Sequence, residues 1–198
     1  MEKRLRKERY MQVPILITWD IDPLTRDERI RYGLPLREEQ PYLLRKSLAL
    51  ASDLTTELDI HSTFFVTASL AEEIEDDLKE LKKKNHQIGC HGLTHGDDDN
   101  YAKLPYNEQL SRIQKATKIL ESFVGEIRAF RAPGVRISAT TLKILENLGY
   151  LADSSISSQR FDMASSNTNP KLILAPRITA FPQAGSYRRG CGEVMVIL

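Results

Sequence analysis

The 198-residue sequence has little cysteine and no long apolar run. Its two cysteines, Cys90 and Cys191, form no CxxC pair and are too few for a disulfide framework, which favours free thiols in a reducing compartment. No apolar stretch reaches the length of a signal peptide or a membrane span. We therefore expect a soluble, cytoplasmic protein without a membrane span.

An excess of charge of one sign is also lacking. The 28 Lys and Arg residues nearly balance the 27 Asp and Glu residues, giving a formal net charge of +1. This balance gives no reason to expect nucleic acid or a membrane surface as a partner. A chain of this length with 41% hydrophobic residues is typical of one globular domain, which we place at residues 1–198.

Apolar runs of strand length alternate with segments of helical period along the chain. This rhythm predicts an α/β protein with parallel strands joined by crossover helices. The helices are predicted at 41–58, from Ser69 to about Lys84, from Pro105 to about 123, and at 139–148 after Ser138. The strands are predicted at 13–19, 61–68, 87–90, 127–130 and 150–155, with a last candidate, "EVMVIL", at 193–198.

Polar side chains follow four of the predicted strands at the point where each strand ends. In parallel α/β folds the carboxyl ends of the strands meet at one edge, where active sites form. Chance would rarely place all four clusters there. The clusters are Asp20 with Asp22, His91 with His95, Arg131, and Asp153.

The stretch "HGLTH" places two of the four histidines four residues apart. Imidazole nitrogens suit zinc, and Gly92 eases a turn that could bring His91 and His95 together. The helical HExxH motif of metalloproteases is excluded, because no glutamate lies between the histidines. Taken alone, the pair is explained better by two surface histidines.

The stretches "TWDID" and "FRAPG" favour a shared metal site over two surface histidines. Asp20 and Asp22 would face the same side of a continued strand, where two carboxylates repel unless a cation or a positive partner is present. A turn aspartate before Pro23 would account for Asp22 but not for Asp20. Arg131 follows an apolar strand and requires an acidic neighbour, so a purely structural Arg–Asp bridge is the alternative.

Together these motifs resemble the polysaccharide deacetylase family, the NodB-homology or carbohydrate esterase 4-like group. TWDID, HGLTH, RAPG and DSS stand in the order of that family's motifs, within residues 18 to 155. One residue is inserted between the aspartates, a form similar to a branch with imidase- or allantoinase-like members. The resemblance implies a distorted (β/α) barrel of parallel strands, usually seven-stranded.

The resemblance also implies a ligand set and a base. Asp22, His91 and His95 would hold a divalent metal, with zinc favoured. Asp20 would be the general base toward the attacking water, and Arg131 would orient Asp20 and keep it ionised. A dication with one anionic ligand keeps a net positive charge and can activate water and an amide carbonyl.

Two further roles follow from the resemblance. A backbone N–H of the loop at Pro133 and Gly134 would stabilise the oxyanion; Gly134 stands where the family often has a bulky aromatic residue. Asp153 would support the general acid, which in the family is a histidine from a fifth motif. No histidine follows His95 in this sequence. Losing a general acid typically costs about 10² to 10⁴ in rate.

Three explanations of the missing acid stay open. The chain could be truncated, so that the barrel is incomplete at its C-terminal end. Another group or a second chain could supply the acid, or the protein could be a catalytically poor remnant. A terminal apolar strand with no following neighbour also predicts an exposed sheet edge, which favours a homo-oligomer.

The leading hypothesis is a metal-dependent hydrolase of a non-peptide C–N bond, acting on a carbohydrate or small molecule. Its default reaction is removal of the acetyl group from an N-acetylated amino sugar. The first alternative is hydrolysis of a cyclic imide or ureide by the same metal chemistry. The second is a metal- or sugar-binding module without turnover.

The remaining chemical side chains are predicted to have ordinary roles. We expect His61 and His86 to be structural or at the surface, and Trp19 to belong to the core. Cys90 should point away from His91 and is not expected to bind metal. The run Asp97, Asp98 and Asp99 is expected to be a solvated loop face.

Overall fold

The structure is a computed structural model that describes residues 16–24, 26–31, 33, 40–155 and 195–196. A six-stranded parallel sheet has its strands in chain order, β1 to β6. The strands are β1 (Thr18–Ile21), β2 (Thr63–Val66), β3 (Gln87–Cys90), β4 (Ala129–Phe130), β5 (Ala152–Asp153) and β6 (Met195–Val196). The prediction of a parallel-strand α/β fold is confirmed. Closure of a barrel is not resolved in the described residues, and the predicted strand start at 13–15, Cys191 and residues 156–194 lie outside them.

Helices connect each pair of successive strands from β1 to β5, as expected for parallel neighbours. They are α1 (Arg26–Arg31), α2 (Gln40–Glu57), α3 (Glu75–Lys83), α4 (Tyr106–Val124) and α5 (Ala139–Asn147). Short 3₁₀ turns lie at Ala68–Leu70, Asp97–Asp99 and Pro133–Val135. Within the described residues, no helix combines the length and apolar character needed to span a bilayer.

The predicted start of α3 at Ser69 is wrong, because α3 begins at Glu75. The residues after β2 form a 3₁₀ turn instead. The backbone N–H of Ala68 donates to the carbonyl of Gly92 at 3.0 Å, and that of Ser69 to the carbonyl of Leu93 at 2.9 Å. These bonds join the end of β2 to the HGLTH loop. They occupy the backbone N–H groups of the residues at which the sequence pattern predicts a helix N-terminus.

Helix α2 carries two apolar stripes rather than one. Leu48 and Ala51 are buried in the core that fills the space between sheet and helices. Leu50 and Leu54, and Leu58 just after the helix, are exposed, although they also follow a helical spacing. Helical period alone predicts the helix but does not reveal which stripe faces the sheet.

Candidate metal centre

Four of the predicted site residues lie in two successive rows across the carboxyl edge of the sheet. Strand pairing joins five residues in register: Ile21, Val66, Cys90, Phe130 and Asp153. The residues that follow them continue the parallel ladder, with four backbone N–H···O bonds of 2.9 to 3.1 Å. This second row consists of Asp22, Thr67, His91, Arg131 and Ser154. Strand register therefore brings together side chains that are up to 132 positions apart in the printed sequence.

Asp22 lies between the two histidines of the HGLTH loop. Its Oδ1 is 3.3 Å from His91 Nε2, and its Oδ2 is 3.3 Å from His95 Nε2. One ligand atom from each of these residues lies within 4.8 Å of the others. Tetrahedral zinc ligands at about 2.0–2.1 Å from the ion stand roughly 3.4 Å apart, so this donor set fits a divalent ion.

The hydrogen bonding of His91 selects the ring nitrogen that faces Asp22. His91 Nδ1 is 2.7 Å from the carbonyl oxygen of Arg131. A carbonyl oxygen can only accept, so Nδ1 carries the proton and donates. His91 Nε2 is therefore left as the lone-pair donor, as metal-binding imidazoles require.

Burial disfavours charge on both His91 and Asp22. The pKa of the His91 imidazole is lowered by its burial, an effect that the Asp22 carboxylate opposes. The pKa of the Asp22 carboxyl is raised, first by burial and also by the nearby Asp20, against the opposing effect of the two histidines. Thr67 donates a hydrogen bond to Asp22 Oδ1 at 3.1 Å and orients the carboxylate. A cation between these groups would compensate the buried negative charge.

The prediction that Asp97, Asp98 and Asp99 form a solvated face is wrong for Asp99, whose side chain has 0% exposure. Asp99 Oδ2 accepts from the backbone N–H groups of Leu93 and Thr94, both at 2.6 Å. It also accepts from the N–H of His95 at 3.3 Å. The free-energy cost of burying this carboxylate is offset by these bonds and by an ion pair with Arg112.

Arg112 of α4 supplies the opposite charge. Its Nε donates to Asp99 Oδ1 at 2.6 Å, and Tyr101 Oη donates to the same oxygen at 3.1 Å. One guanidinium nitrogen also reaches Asp98 Oδ2 at 2.6 Å. Spacing and periodicity do not predict this pair; the one signal in the sequence is an acidic residue close after the histidines.

Two residues of the HGLTH loop have left-handed backbone conformations, Gly92 with φ +76° and His95 with φ +62°. A Cβ at Gly92 would stand 2.8 Å from Pro133 Cγ and 2.9 Å from Asp99 Oδ2. Glycine is therefore required both by the backbone and by the close approach of two neighbours. His95 adopts its unusual conformation while its N–H is held by Asp99.

Asp20 and Arg131 form the second predicted pair. Arg131 Nη1 donates to Asp20 Oδ1 at 2.6 Å. Its Nη2 donates to the hydroxyls of Thr18 at 2.8 Å and Ser154 at 2.7 Å. The guanidinium also lies 4.3 Å above the ring of Phe65, so it is held in one orientation.

Asp153 is completely buried and is partnered by Ser155, although no histidine accompanies it. The Ser155 hydroxyl donates to Asp153 Oδ1 at 2.5 Å and accepts from the N–H of Ala132 at 2.8 Å. Burial raises the pKa of the Asp153 carboxyl to about 6, against the opposing hydrogen bonds from Ser155 and the nearby charge of Arg131. The Ser155 hydroxyl thus links Asp153 by hydrogen bonds to the backbone of the loop after β4.

The loop at Pro133 and Gly134 packs beside the histidine loop. Pro133 has no N–H, and the N–H of Val135 donates to the carbonyl of Ala132 at 2.9 Å. Gly134, with φ +58°, is therefore the residue of this turn on which the oxyanion prediction depends. Its role in binding an oxyanion stays a prediction.

The cysteine, the other two histidines and the tryptophan considered above are not part of the candidate metal centre. Cys90 is fully buried, and burial raises the pKa of its thiol to about 12, which disfavours the metal-binding thiolate. His86 is buried and accepts from the N–H of Ser62 at 3.2 Å, while His61 is exposed. Trp19 stacks on Phe64 with ring centroids 6.2 Å apart.

Comparison with known proteins identifies a family model that matches most of the chain. The polysaccharide deacetylase family model matches residues 14–152. An uncharacterized 30.6 kDa protein in the fumA 3′ region of Geobacillus stearothermophilus is 29% identical over 98 residues, which cover 50% of this chain and 37% of that protein.

Solved structures of low sequence identity share the fold. A putative polysaccharide deacetylase from Mycobacterium smegmatis superposes with a TM-score of 0.58 at 22% identity, covering 71% of this chain and 50% of that one. A CE4 family pseudoenzyme from Bacillus anthracis gives 0.52 at 18% identity, covering 68% and 41%. A mutant of that pseudoenzyme with restored enzymatic activity gives 0.54 at 17%, covering 80% and 50%. The chain spans about half the length, or less, of these proteins.

Proposed function

The chain belongs to the polysaccharide deacetylase family, and on that premise we propose that it is a metal-dependent hydrolase that removes the acetyl group from an N-acetylated amino sugar. The observation that carries the proposal is the meeting of the Asp22, His91 and His95 donor atoms within 4.8 Å of one another. The Asp20–Arg131 pair beside them supports it.

Asp22, His91 and His95 would hold the ion. Two imidazole nitrogens and one carboxylate oxygen favour zinc over calcium or magnesium, which prefer oxygen ligands. When bound, such an ion supplies Lewis-acid polarisation of a water molecule and of the amide carbonyl. Since Asp22 is the one anionic ligand, the centre would keep a net positive charge.

Asp20 is the proposed general base. It would take a proton as the water oxygen bonds to the carbonyl carbon, and Arg131 would hold its carboxylate in place. The C–N bond then breaks, and the amine nitrogen needs a proton. We propose that Asp20, which then carries the proton taken from the water, returns it to this nitrogen. The N–H of Gly134 would stabilise the oxyanion.

The proposal is tested by acetate release from N-acetylglucosamine oligomers, using the full chain loaded with zinc. We expect turnover, and we expect Asp20→Asn to lower kcat by about 10² or more because it removes the base. Asp97→Asn is the matched control, since the Asp97 side chain is fully exposed, and it should retain wild-type rates.

Other outcomes would favour the alternatives. Ring opening of a cyclic imide or ureide without acetate release would indicate the imidase-like reaction. Stoichiometric zinc uptake without turnover on either class would indicate a binding module, and the hydrolase proposal would then be abandoned.

A further inference from the structure

A cavity of about 320 Å³ opens beside the candidate metal centre, within the described part of the chain. Asp20, Asp22 and His95 are among its lining residues, so the cavity adjoins both the proposed base and two of the three proposed ligands. A group in this cavity would therefore lie next to the scissile amide. The cavity is therefore a candidate binding site for a substituent of the substrate amide, whose identity the proposed reaction does not specify.

The rest of the lining is mainly aliphatic. Five apolar side chains contribute to it, with Pro23 beside them: Ile21, Leu24, Leu43, Leu44 and Leu70. Ser47 and Glu73 are the polar members of this part of the lining. No phenylalanine, tyrosine or tryptophan ring is among the lining residues, within the part of the chain that the structure describes. Sugar rings carry several hydroxyl groups that would lose hydrogen bonds against such a wall. The aliphatic part of the lining therefore fits an alkyl chain better than a sugar ring.

The size of the cavity separates an acetyl group from a longer acyl chain. A water molecule occupies about 30 Å³ in the liquid, so the cavity has room for roughly ten of them. One methyl group would leave most of this space filled with water against aliphatic side chains. An alkyl chain would displace that water and bury apolar surface.

Of the two substituents on the amide of an N-acyl amino sugar, only the acyl side is apolar. We infer that the aliphatic cavity beside Asp22 and His95 receives the acyl chain of an N-acyl amino sugar, and that it accepts chains longer than acetyl. The inference rests on the proposed N-deacylation chemistry and extends its substrate class. Leu43 is the best residue for a test, because it lines the cavity and is half-buried on α2.

The test measures binding separately from turnover. N-acetyl-, N-butyryl- and N-hexanoylglucosamine are titrated by calorimetry into zinc-loaded full-length protein carrying Asp20→Asn, which suppresses hydrolysis. We expect the Kd to fall about fourfold for each methylene added, the equivalent of about 0.8 kcal/mol. From acetyl to hexanoyl, four methylenes, this amounts to roughly 250-fold.

Substitutions on α2 then locate the effect. Leu43→Gln should abolish the dependence on chain length, and Leu43→Trp should weaken hexanoyl binding by filling the cavity. Leu50→Gln is the matched control, because Leu50 is on the same helix, 63% exposed, and does not line the cavity. It should keep the wild-type dependence. Circular dichroism checks that each variant is folded.

The outcomes distinguish this inference from the proposed function. Equal affinity for the three sugars overturns the inference, even if N-acetylglucosamine oligomers are hydrolysed. A chain-length dependence that survives both Leu43 substitutions also overturns it. A dependence that requires Leu43, in a wild-type protein that hydrolyses none of the three sugars, supports the cavity assignment and contradicts the hydrolase proposal.

Discussion

At the scale of single residues, Asp99 holds the conformation of the HGLTH loop. Its buried carboxylate accepts three successive backbone N–H groups, from Leu93 to His95. Arg112 neutralises it from α4 at 2.6 Å. Asp99 is thus a positioning residue for His95 in our proposal, since it contacts the backbone of the ligand rather than the metal position.

We expect Asp99→Asn to lower the free energy of unfolding by about 2–4 kcal/mol, because Arg112 loses its buried partner and an amide nitrogen faces N–H donors. Zinc affinity should fall about 10- to 100-fold, as for other groups that orient metal ligands. Urea unfolding and competitive zinc titration measure the two effects. Asp97→Asn should change neither, and unchanged zinc affinity in Asp99→Asn would contradict the positioning role.

Asp153 allows a test of pH dependence. Its folded-state pKa is raised by burial from 3.8 to about 6, so the folded protein keeps this proton to higher pH than the unfolded chain. Its contribution to stability is therefore largest below about pH 4 and is lost as the pH rises through about 6.

The wild type should lose stability relative to Asp153→Asn between pH 4 and 7, by up to about 3 kcal/mol. The difference between the two unfolding free energies, measured by urea denaturation at several pH values, isolates this group from the other carboxyls. Parallel curves for the two proteins would show that Asp153 does not titrate in this range.

At the scale of elements, the end of β3 is the most constrained segment of the site. The HGLTH loop receives bonds from the turn after β2, contacts Pro133 of the loop after β4, and is anchored to α4 through Asp99. Three neighbouring elements therefore determine its shape, and its glycine has space for no side chain.

Gly92→Ala should lower both stability and zinc affinity, because its Cβ would press on Pro133 and Asp99. Gly125→Ala is the comparison, since Gly125 also has a positive φ of +77° but no atom within 4 Å of an added Cβ. It should cost about 1–3 kcal/mol of backbone strain and leave zinc affinity unchanged. Thermal unfolding with zinc titration measures both variants. Equal zinc affinities in the two would contradict the close-approach argument.

At the scale of the whole molecule, one parallel sheet supports every proposed role. The base and the metal ligand of β1, the histidines after β3 and the arginine after β4 share its carboxyl edge. An ion bound there would connect β1 to the loop after β3. Since a specific metal site is formed only in the folded chain, binding should stabilise the fold.

Zinc at 100 times its Kd should raise the free energy of unfolding by about 2.7 kcal/mol. For a chain of this size we expect Tm to rise by roughly 5–10 °C in calorimetry. His91→Ala and His95→Ala should each abolish the shift, whereas His61→Ala, at an exposed position, should keep it. A full zinc shift in either ligand variant would refute the proposed ligand set.

The sequence by itself determined the parallel α/β fold and the residues that meet at its edge. The strands and the helices α2, α4 and α5 are predicted by the local periodicity of apolar residues, which is a property of a few consecutive residues. The convergence of Asp22, His91 and His95 follows from strand ends in a parallel sheet, together with the order of the motifs.

Only the tertiary structure decided how those residues are held. The burial of Asp99 depends on Arg112 on another element, and the late start of α3 depends on carbonyls of the HGLTH loop. The position of the sheet decides that the face of α2 carrying Leu48 is buried and the face carrying Leu50 is exposed. Each is set by contacts between segments distant in the chain, and periodicity, propensity and spacing carry information about near neighbours alone.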